Sequence, residues 1–203
     1  MFDIVRCEGR ACRLDKSEFQ GIKLINIDLL GLSQIYLSSN KIASITEWFN
    51  PQCMDNFQPL RVHDFGNNTY TLTDGHTRAY VAYKNGVSFL PVIYDNDDIV
   101  TNQVGQMLYN TDIDWCKRFK LSHIKQLEHR IINKNAYQKL WIDRCDRSYN
   151  LLTATSHSER MQLQNLAPDL FLYGASEDIS TLFFENELGE LFIYKDNVLL
   201  PEK

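Results

Sequence analysis

The sequence predicts an α+β protein: a small mixed sheet with helices comes first, a mainly helical segment follows, and a β-hairpin ends the chain. Three patterns indicate this order. Two apolar strands flank a Gly-Asn-Asn turn between residues 60 and 73. Apolar residues recur at helical spacing over about 101–119 and 134–149. Two further apolar strands flank a polar turn near residue 187.

The first elements are a strand and a helix. Residues 22–27 alternate between apolar and polar side chains and predict a strand. Ser38-Ser39-Asn40 then offers side-chain acceptors for the free amides at a helix start. Ile42 and Ile45 follow at helical spacing, and Asn50-Pro51 ends that helix because proline cannot continue it.

A hairpin and a helix come next. Residues 60–64 and 70–73 form the two predicted strands, and the Gly66-Asn67-Asn68 turn between them tolerates positive φ angles. Small and aromatic residues after Arg78 predict a helix that ends at Asn85-Gly86. Residues 89–94 predict another strand.

The second half is predicted to be helical before it turns to strands. Residues 150–168 are rich in polar side chains and predict either a connecting loop or a frayed helix. Residues 181–185 and 191–194 predict the terminal hairpin. We therefore expect a first domain over 20–98 and a C-terminal extension over 99–203 that docks on it and helps to wall the functional site.

Length and composition are those of a globular protein. The chain has 203 residues, 44% of them hydrophobic and 23% charged, with a formal net charge of -5. This net charge disfavours nucleic-acid binding by bulk electrostatics. Residues 116–160 nevertheless carry ten Lys and Arg against four Asp and Glu, whereas residues 161–203 carry two against eight. Either these two blocks pack against each other, or the basic block binds an anionic ligand or partner.

The cysteines and the absence of long apolar runs predict a reduced cytoplasmic protein with buried thiols. The five cysteines form no C-x-x-C pair, and their spacing fits neither a disulfide framework nor a zinc site. Met1-Phe2-Asp3 becomes charged at once, unlike a secretory leader, and no stretch is long enough to span a membrane. Helix-spaced aromatic residues are expected in the core: Trp48, Trp115 and Trp141.

One short segment concentrates the chemistry: Thr73-Asp74-Gly75-His76-Thr77-Arg78 joins a predicted strand to a predicted helix. Gly75 allows a tight turn, and the free amides at the helix start form an anion cradle suited to phosphate. Arg78 adds a bidentate contact to the same anion. His76 is expected at the mouth as a donor, and Asp74 is placed to accept a proton or to hold a metal through water.

A purely structural interpretation stands beside this one. Polar turns between a strand and a helix are common, and Asp-Gly alone marks a turn. The charged side chains of Asp74, His76 and Arg78 also suit a structural network, and Thr77 suits a helix cap.

Residues from about 22 to 95 resemble the ParB/sulfiredoxin-like domain family. The resemblance covers about a third of the chain, in the order strand, helix, "Gln58-Pro59-Leu60-Arg61-Val62", turn, strand, then "Asp74-Gly75-His76-Thr77-Arg78" and "Leu90-Pro91-Val92". It implies a small α+β fold whose motif loop binds nucleotide phosphates.

The motif is most similar to the free-serine-kinase branch of that family. Sulfiredoxins have a reactive cysteine at the position where this chain has His76. Chromosome-partition ParB proteins have a segment similar to Gly-Glu-Arg-Arg at this position. The kinase loop, Asp-Gly-His-His-Arg, shares four of five positions with residues 74–78. The kinase-like relatives also have an acidic residue near the start of the first helix, where Tyr36-Leu37-Ser38-Ser39-Asn40 offers none.

The resemblance implies roles for the loop. Asp74 and His76 would be catalytic, with Asp74 as general base or metal-organising acid. ATP or ADP with Mg²⁺ is the implied cofactor, and no protein metal cluster is expected. The implied nucleotide contacts are Gly75, His76, Thr77 and Arg78.

Two functions follow as expectations. One is an ATP- or ADP-dependent kinase that transfers a phosphoryl group to a small hydroxyl metabolite such as serine. The other is a non-catalytic nucleotide-sensing module whose residues 116–160 contact a protein partner or, less favoured, DNA. The same fold hosts unrelated activities, so resemblance alone does not separate them.

Overall fold

The computed structural model describes residues 21–66 and 68–202, and the chain divides into two compact units. The first ends at Tyr137 and the second comprises Gln138–Lys203. Both units combine helices with strands, which confirms the α+β class. Residues 99–137 belong to the first unit, and the docking of the C-terminal half remains a prediction. Some residues used above lie outside the described part: Met1-Phe2-Asp3, Cys7, Cys12, Gln20 and Asn67.

The first unit is built on a five-stranded mixed sheet of strand order β1-β6-β4-β5-β2. A two-stranded parallel pair, β3 with β7, accompanies it, and 3₁₀ turns occupy Ile27–Leu29 and Ile124–Arg130. The elements are β1 (Lys23–Asn26), β2 (Leu30–Gly31), β3 (Leu37–Ser38), α1 (Ser39–Trp48), β4 (Leu60–His63), β5 (Tyr70–Asp74), α2 (His76–Lys84), β6 (Phe89–Tyr94), α3 (Asp98–Thr101), α4 (Gln103–Arg118), β7 (Ile131–Ile132) and α5 (Lys134–Tyr137).

The predicted strands, helix α1 and the long helix α4 are all present. The sequence did not predict β2, β3 or β7, which are two residues each. The core of this unit combines inward-facing strand residues with small residues of α2. These buried side chains include Ile25, Leu60, Val62, Leu72, Leu90, Val92, Ala79 and Ala82.

The turn between β4 and β5 confirms the predicted hairpin and shows why it forms. Gly66 and Asn68 both adopt positive φ, at 91° and 54°. The buried Asp64 carboxylate accepts hydrogen bonds from the amides of Gly66 and Asn68 at 2.9 and 3.2 Å. These bonds fix the return of β5 and hence the position of the residues that follow it.

The second unit has helices followed by a four-stranded antiparallel sheet of order β11-β10-β9-β8. The predicted hairpin is the centre of this sheet, and the two outer strands were not predicted. Residues 157–164 form a helix rather than a loop, because Ser156 and Glu159 make a capping box. The elements are a π-helical turn (Gln138–Ile142), α6 (Asp143–Ala154), α7 (His157–Gln164), β8 (Phe171–Ala175), β9 (Thr181–Glu185), β10 (Leu191–Lys195) and β11 (Val198–Pro201).

Bases of α6 pair with acids of the C-terminal block inside this unit. Arg144 and Glu185 are both buried and form two hydrogen bonds, of 2.9 and 2.6 Å. Arg147 bonds both carboxylate oxygens of Glu202 at 3.0 and 3.1 Å, and also the Tyr173 hydroxyl. This part of the basic block is therefore neutralised within the fold.

Two expectations about side chains need correction. Cys116 is buried, and burial raises the pKa of its thiol to about 12, but Cys53 is exposed. Trp115 and Trp141 are buried as predicted, whereas Trp48 is 46% exposed.

Among the described residues, no helix is both long enough and apolar enough to cross a membrane.

Glu185→Gln is expected to destabilise the second unit strongly, because it leaves the Arg144 charge buried without its counter-charge. Breaking one partner of a buried pair costs about 3–5 kcal/mol. Urea unfolding followed by circular dichroism measures this. The double variant R144M/E185L is expected to recover much of the loss, and a double variant that is less stable than Glu185→Gln contradicts the account.

Candidate functional site

Gly75 forms the junction between β5 and α2 that the sequence predicted. Its φ of 91° and ψ of 15° lie in the left-handed region, which glycine adopts without strain. A Cβ added here would lie 2.6 Å from Cδ2 of Leu60 on β4. Both the conformation and the space therefore require glycine, and the predicted strand-to-helix turn at residues 74–78 is confirmed.

The charge and capping at the start of α2 favour an anion, although its first two residues, His76 and Thr77, are buried. Gly75 is the N-cap residue and no side chain caps the helix. The first turn contains no acidic residue, so no carboxylate within it offsets the positive end of the helix dipole. Thr77, expected to be a contact or a cap, is buried in the first turn.

Arg78 is held in place by two acceptors on either side of the loop. Its Nη2 bonds the Asp74 carboxylate at 2.9 Å, and its Nη1 bonds the Gln58 carbonyl at 2.6 Å. The Arg78 side chain is 16% exposed and that of Asp74 is 66% exposed. The pair therefore combines a fixed guanidinium with a carboxylate that solvent reaches.

An open pocket of about 430 Å³ lies against Arg78. Its other walls are Gln58, Asn56 and the exposed Trp48. Ligand sites typically measure about 300–1,000 Å³, so this pocket is large enough for a small molecule. Among the described residues that line it, Arg78 alone carries a charge.

His76 lies beneath the loop rather than at its mouth. The side chain is 3% exposed, and Nε2 accepts a hydrogen bond of 3.1 Å from the Ser33 amide. Ser33 also donates its hydroxyl proton to the Leu72 carbonyl at 2.7 Å. Desolvation by burial lowers the pKa of His76 to about 4, opposed by the Asp74 charge. The imidazole is therefore neutral at pH 7, and with Nε2 accepting, its proton resides on Nδ1.

This placement changes what the site can do. A neutral His76 with Nε2 already bonded anchors residue 33 to the start of α2. The predicted donor and catalytic roles of His76 remain predictions, and an Nε2 contact to a ligand would require the Ser33 amide to move away. Asp74 and Arg78 are the two loop side chains that the structure brings together at the surface.

A second charged cluster, which the sequence did not single out, lies beside Asp74. Arg61 is in register with Asp74 across β4 and β5. Its Nη1 bonds Asp95 at 3.1 Å and Asp97 at 2.5 Å. The Thr73 hydroxyl donates to the same Asp95 carboxylate at 2.6 Å. Because Asp95 and Asp97 follow β6 directly, their approach to Arg61 depends on the parallel β4–β6 pairing.

In the described part of the chain, no three His, Cys, Asp or Glu residues form a group that could hold a metal ion. Mg²⁺ usually needs only one or two carboxylates together with substrate phosphates. Asp74 fits that lesser requirement, since its carboxylate is exposed beside Arg78.

Comparison with known proteins adds no assignment. No protein-family model matches the chain, and no curated protein sequence matches it.

Gly75→Ala is expected to lower the free energy of unfolding more than Gly86→Ala. Both glycines have positive φ and stand at opposite ends of α2, but a Cβ at Gly86 meets no atom within 4 Å. Both variants place an alanine in the left-handed conformation, so this strain is common to them. The difference between their losses in free energy of unfolding, expected to be about 1–3 kcal/mol, therefore measures the clash with Leu60. Equal losses in urea unfolding would show that the site lacks this steric constraint.

The stability of the first unit is expected to fall as the pH is lowered from about 6.5 to about 4. In this window the unfolded chain protonates His76 and the folded chain does not, so protons favour unfolding. The free energy of unfolding is expected to decrease by about 3 kcal/mol in total across this pH window. Urea unfolding at several pH values measures it.

His76→Gln places an amide oxygen where Nε2 accepts the Ser33 proton, and should flatten this pH dependence. His129→Gln, at an exposed position, should keep it. If wild type and His76→Gln show the same slope, the burial of an uncharged His76 is wrong.

Proposed function

We propose that this chain binds the phosphate groups of a nucleotide at the start of α2. The observation that carries the proposal is the Arg78 guanidinium, which lines an open pocket and belongs to the first turn of a helix that no side chain caps. Amides at a helix start and a guanidinium are both donors that favour phosphate oxygens. The motif resemblance of residues 74–78 supports the same ligand.

The contacts of Arg78 leave room for a ligand. A guanidinium has five N–H groups. One bond goes to Asp74 and one to Gln58, and these orient the group without using all of its donors. A guanidinium that is already oriented loses less entropy when it binds an anion.

Mg²⁺ belongs to the proposed ligand, and Asp74 would act either as its protein contact or as the general base for transfer. The metal would neutralise the phosphate charge that a single arginine does not neutralise. For transfer, the hydroxyl of an acceptor such as serine attacks the terminal phosphorus of ATP or ADP. Asp74 takes the hydroxyl proton, and ADP or AMP leaves.

Binding without transfer is the second candidate, and two contacts favour it. Asp74 is paired with Arg78, and His76 is buried with its acceptor nitrogen occupied. In this arrangement the buried His76 does not reach a ligand through Nε2, and Asp74 has one carboxylate oxygen committed to Arg78. The proposal places the protein in the cytoplasm, supported by the free thiols of Cys53 and Cys116.

Arg78→Ala is expected to weaken the binding of ATP or ADP about 10-fold to 150-fold in isothermal titration calorimetry with Mg²⁺. This is the effect of losing hydrogen bonds to a charged group, about 1.5–3 kcal/mol. Arg78→Lys keeps the charge, loses the planar fork and should lie between. Lys117→Ala removes an exposed charge on α4 and should bind as wild type does.

Circular dichroism of each variant separates lost binding from lost folding. Equal nucleotide affinity in wild type, Arg78→Lys and Arg78→Ala would contradict the proposed site.

Transfer is tested by mixing the protein with ATP or ADP, Mg²⁺ and serine and following nucleotide turnover. A kinase consumes nucleotide only when serine is present, and Asp74→Asn abolishes turnover while nucleotide still binds. Nucleotide binding without turnover in the presence of serine contradicts transfer to serine and favours the sensing function.

A further inference from the structure

Trp48 is a large aromatic side chain that the sequence placed in the core and the structure leaves 46% exposed. It is the last residue of α1 and forms a wall of the pocket that contains Arg78. It also walls an adjoining pocket of about 220 Å³. The Trp48 indole therefore borders both pockets, and in the part of the chain that the structure describes only the larger pocket has a cation, Arg78, in its lining.

The indole is held in position by a row of aromatic rings. Trp48 contacts Phe49 edge-on at 6.3 Å between ring centroids, and Phe49 contacts Phe57 in the same manner at 5.9 Å. Phe57 is 5% exposed, so the row ends in the core. Edge-to-face contacts at these distances are favourable. Trp48 therefore offers a supported flat face.

The loop beyond Trp48 is fixed by local hydrogen bonds. The Cys53 amide donates to the Asn50 carbonyl at 3.1 Å, and the Phe57 amide donates to the Met54 carbonyl at 2.9 Å. The Gln52 amide donates to Oδ1 of Asn50 at 3.0 Å. The smaller pocket is thus built on turns.

The chemistry changes from one pocket to the other. None of the described residues that line the smaller pocket is charged, and they combine aromatic rings with the amides of Asn50 and Asn56. Asn56 also borders the Arg78 pocket. An amide offers both donors and acceptors, which match the edge of a nucleobase. An uncharged aromatic site therefore adjoins a cationic one, in the order that base and phosphate have in a nucleotide.

We infer that Trp48 is the stacking platform for the base of the nucleotide whose phosphates lie at Arg78. The inference rests on the proposed function and adds the base as the part that confers affinity beyond phosphate. Stacking on an aromatic side chain tolerates every base, because each has a π face. Asn50 and Asn56 then provide the hydrogen bonds that distinguish one base from another.

The test compares ligands with and without a base. Full-length protein is titrated with Mg²⁺ and tripolyphosphate, and with Mg²⁺ and each of ATP, GTP, CTP and UTP. At least one nucleotide should bind more tightly than tripolyphosphate. Trp48→Ala should weaken that nucleotide about 10-fold to 100-fold and leave tripolyphosphate unchanged. Trp48→Phe should keep most of the affinity, and Tyr149→Ala, another exposed aromatic residue, should keep all of it.

A second measurement uses the wild-type protein alone and so does not depend on a variant folding. Cys53 is exposed and borders the smaller pocket. The bound nucleotide should slow alkylation of Cys53 by iodoacetamide, as followed by peptide mass spectrometry, and tripolyphosphate should not.

The outcomes separate this inference from the proposed function. If tripolyphosphate binds as tightly as every nucleotide, and Trp48→Ala changes neither, the base platform is wrong and phosphate binding stands. If neither tripolyphosphate nor any nucleotide binds, both proposals are wrong.

Discussion

Gly75 turns the main chain from β5 into α2 in a left-handed conformation, directly against the Leu60 side chain of β4. That close approach places Asp74 on the strand side of the turn and Arg78 one helical turn later, so that the two side chains meet at 2.9 Å. It also directs His76 into the interior, where the Ser33 amide meets it. The pairing of Asp74 with Arg78 and the burial of His76 are therefore both linked to the absence of a Cβ at Gly75.

The proposed site divides its work between charge and stacking. Arg78 is one cation fixed by neutral and acidic acceptors, while the adjoining walls around Trp48 are aromatic and amide groups. One guanidinium holds a highly charged ligand weakly in water, because solvent screens it. Stacking on Trp48 would add affinity that salt does not screen. His76 contributes structure, since burial lowers its pKa and keeps it neutral at pH 7.

Local chemistry allowed much of the fold to be predicted, and long-range contacts account for the rest. The β4–β5 turn and the Gly75 junction follow from glycine and asparagine in a few consecutive residues. The β3–β7 pair joins residues 37–38 to 131–132, and two-residue strands leave no periodic pattern. The burial of His76 depends on Ser33, 43 positions away. The Ser-x-x-Glu capping box at residues 156–159 is a local sequence signal for the helix at 157–164.

The most direct test is a ¹H–¹⁵N correlation spectrum of the full-length protein during titration with ATP and Mg²⁺. If phosphate binds at the start of α2, the backbone amides of Gly75, His76, Thr77 and Arg78 shift progressively and saturate together. The amide signals of α7 in the second unit do not change position. A saturating titration that shifts other amides and leaves these four unchanged would contradict phosphate binding at this loop.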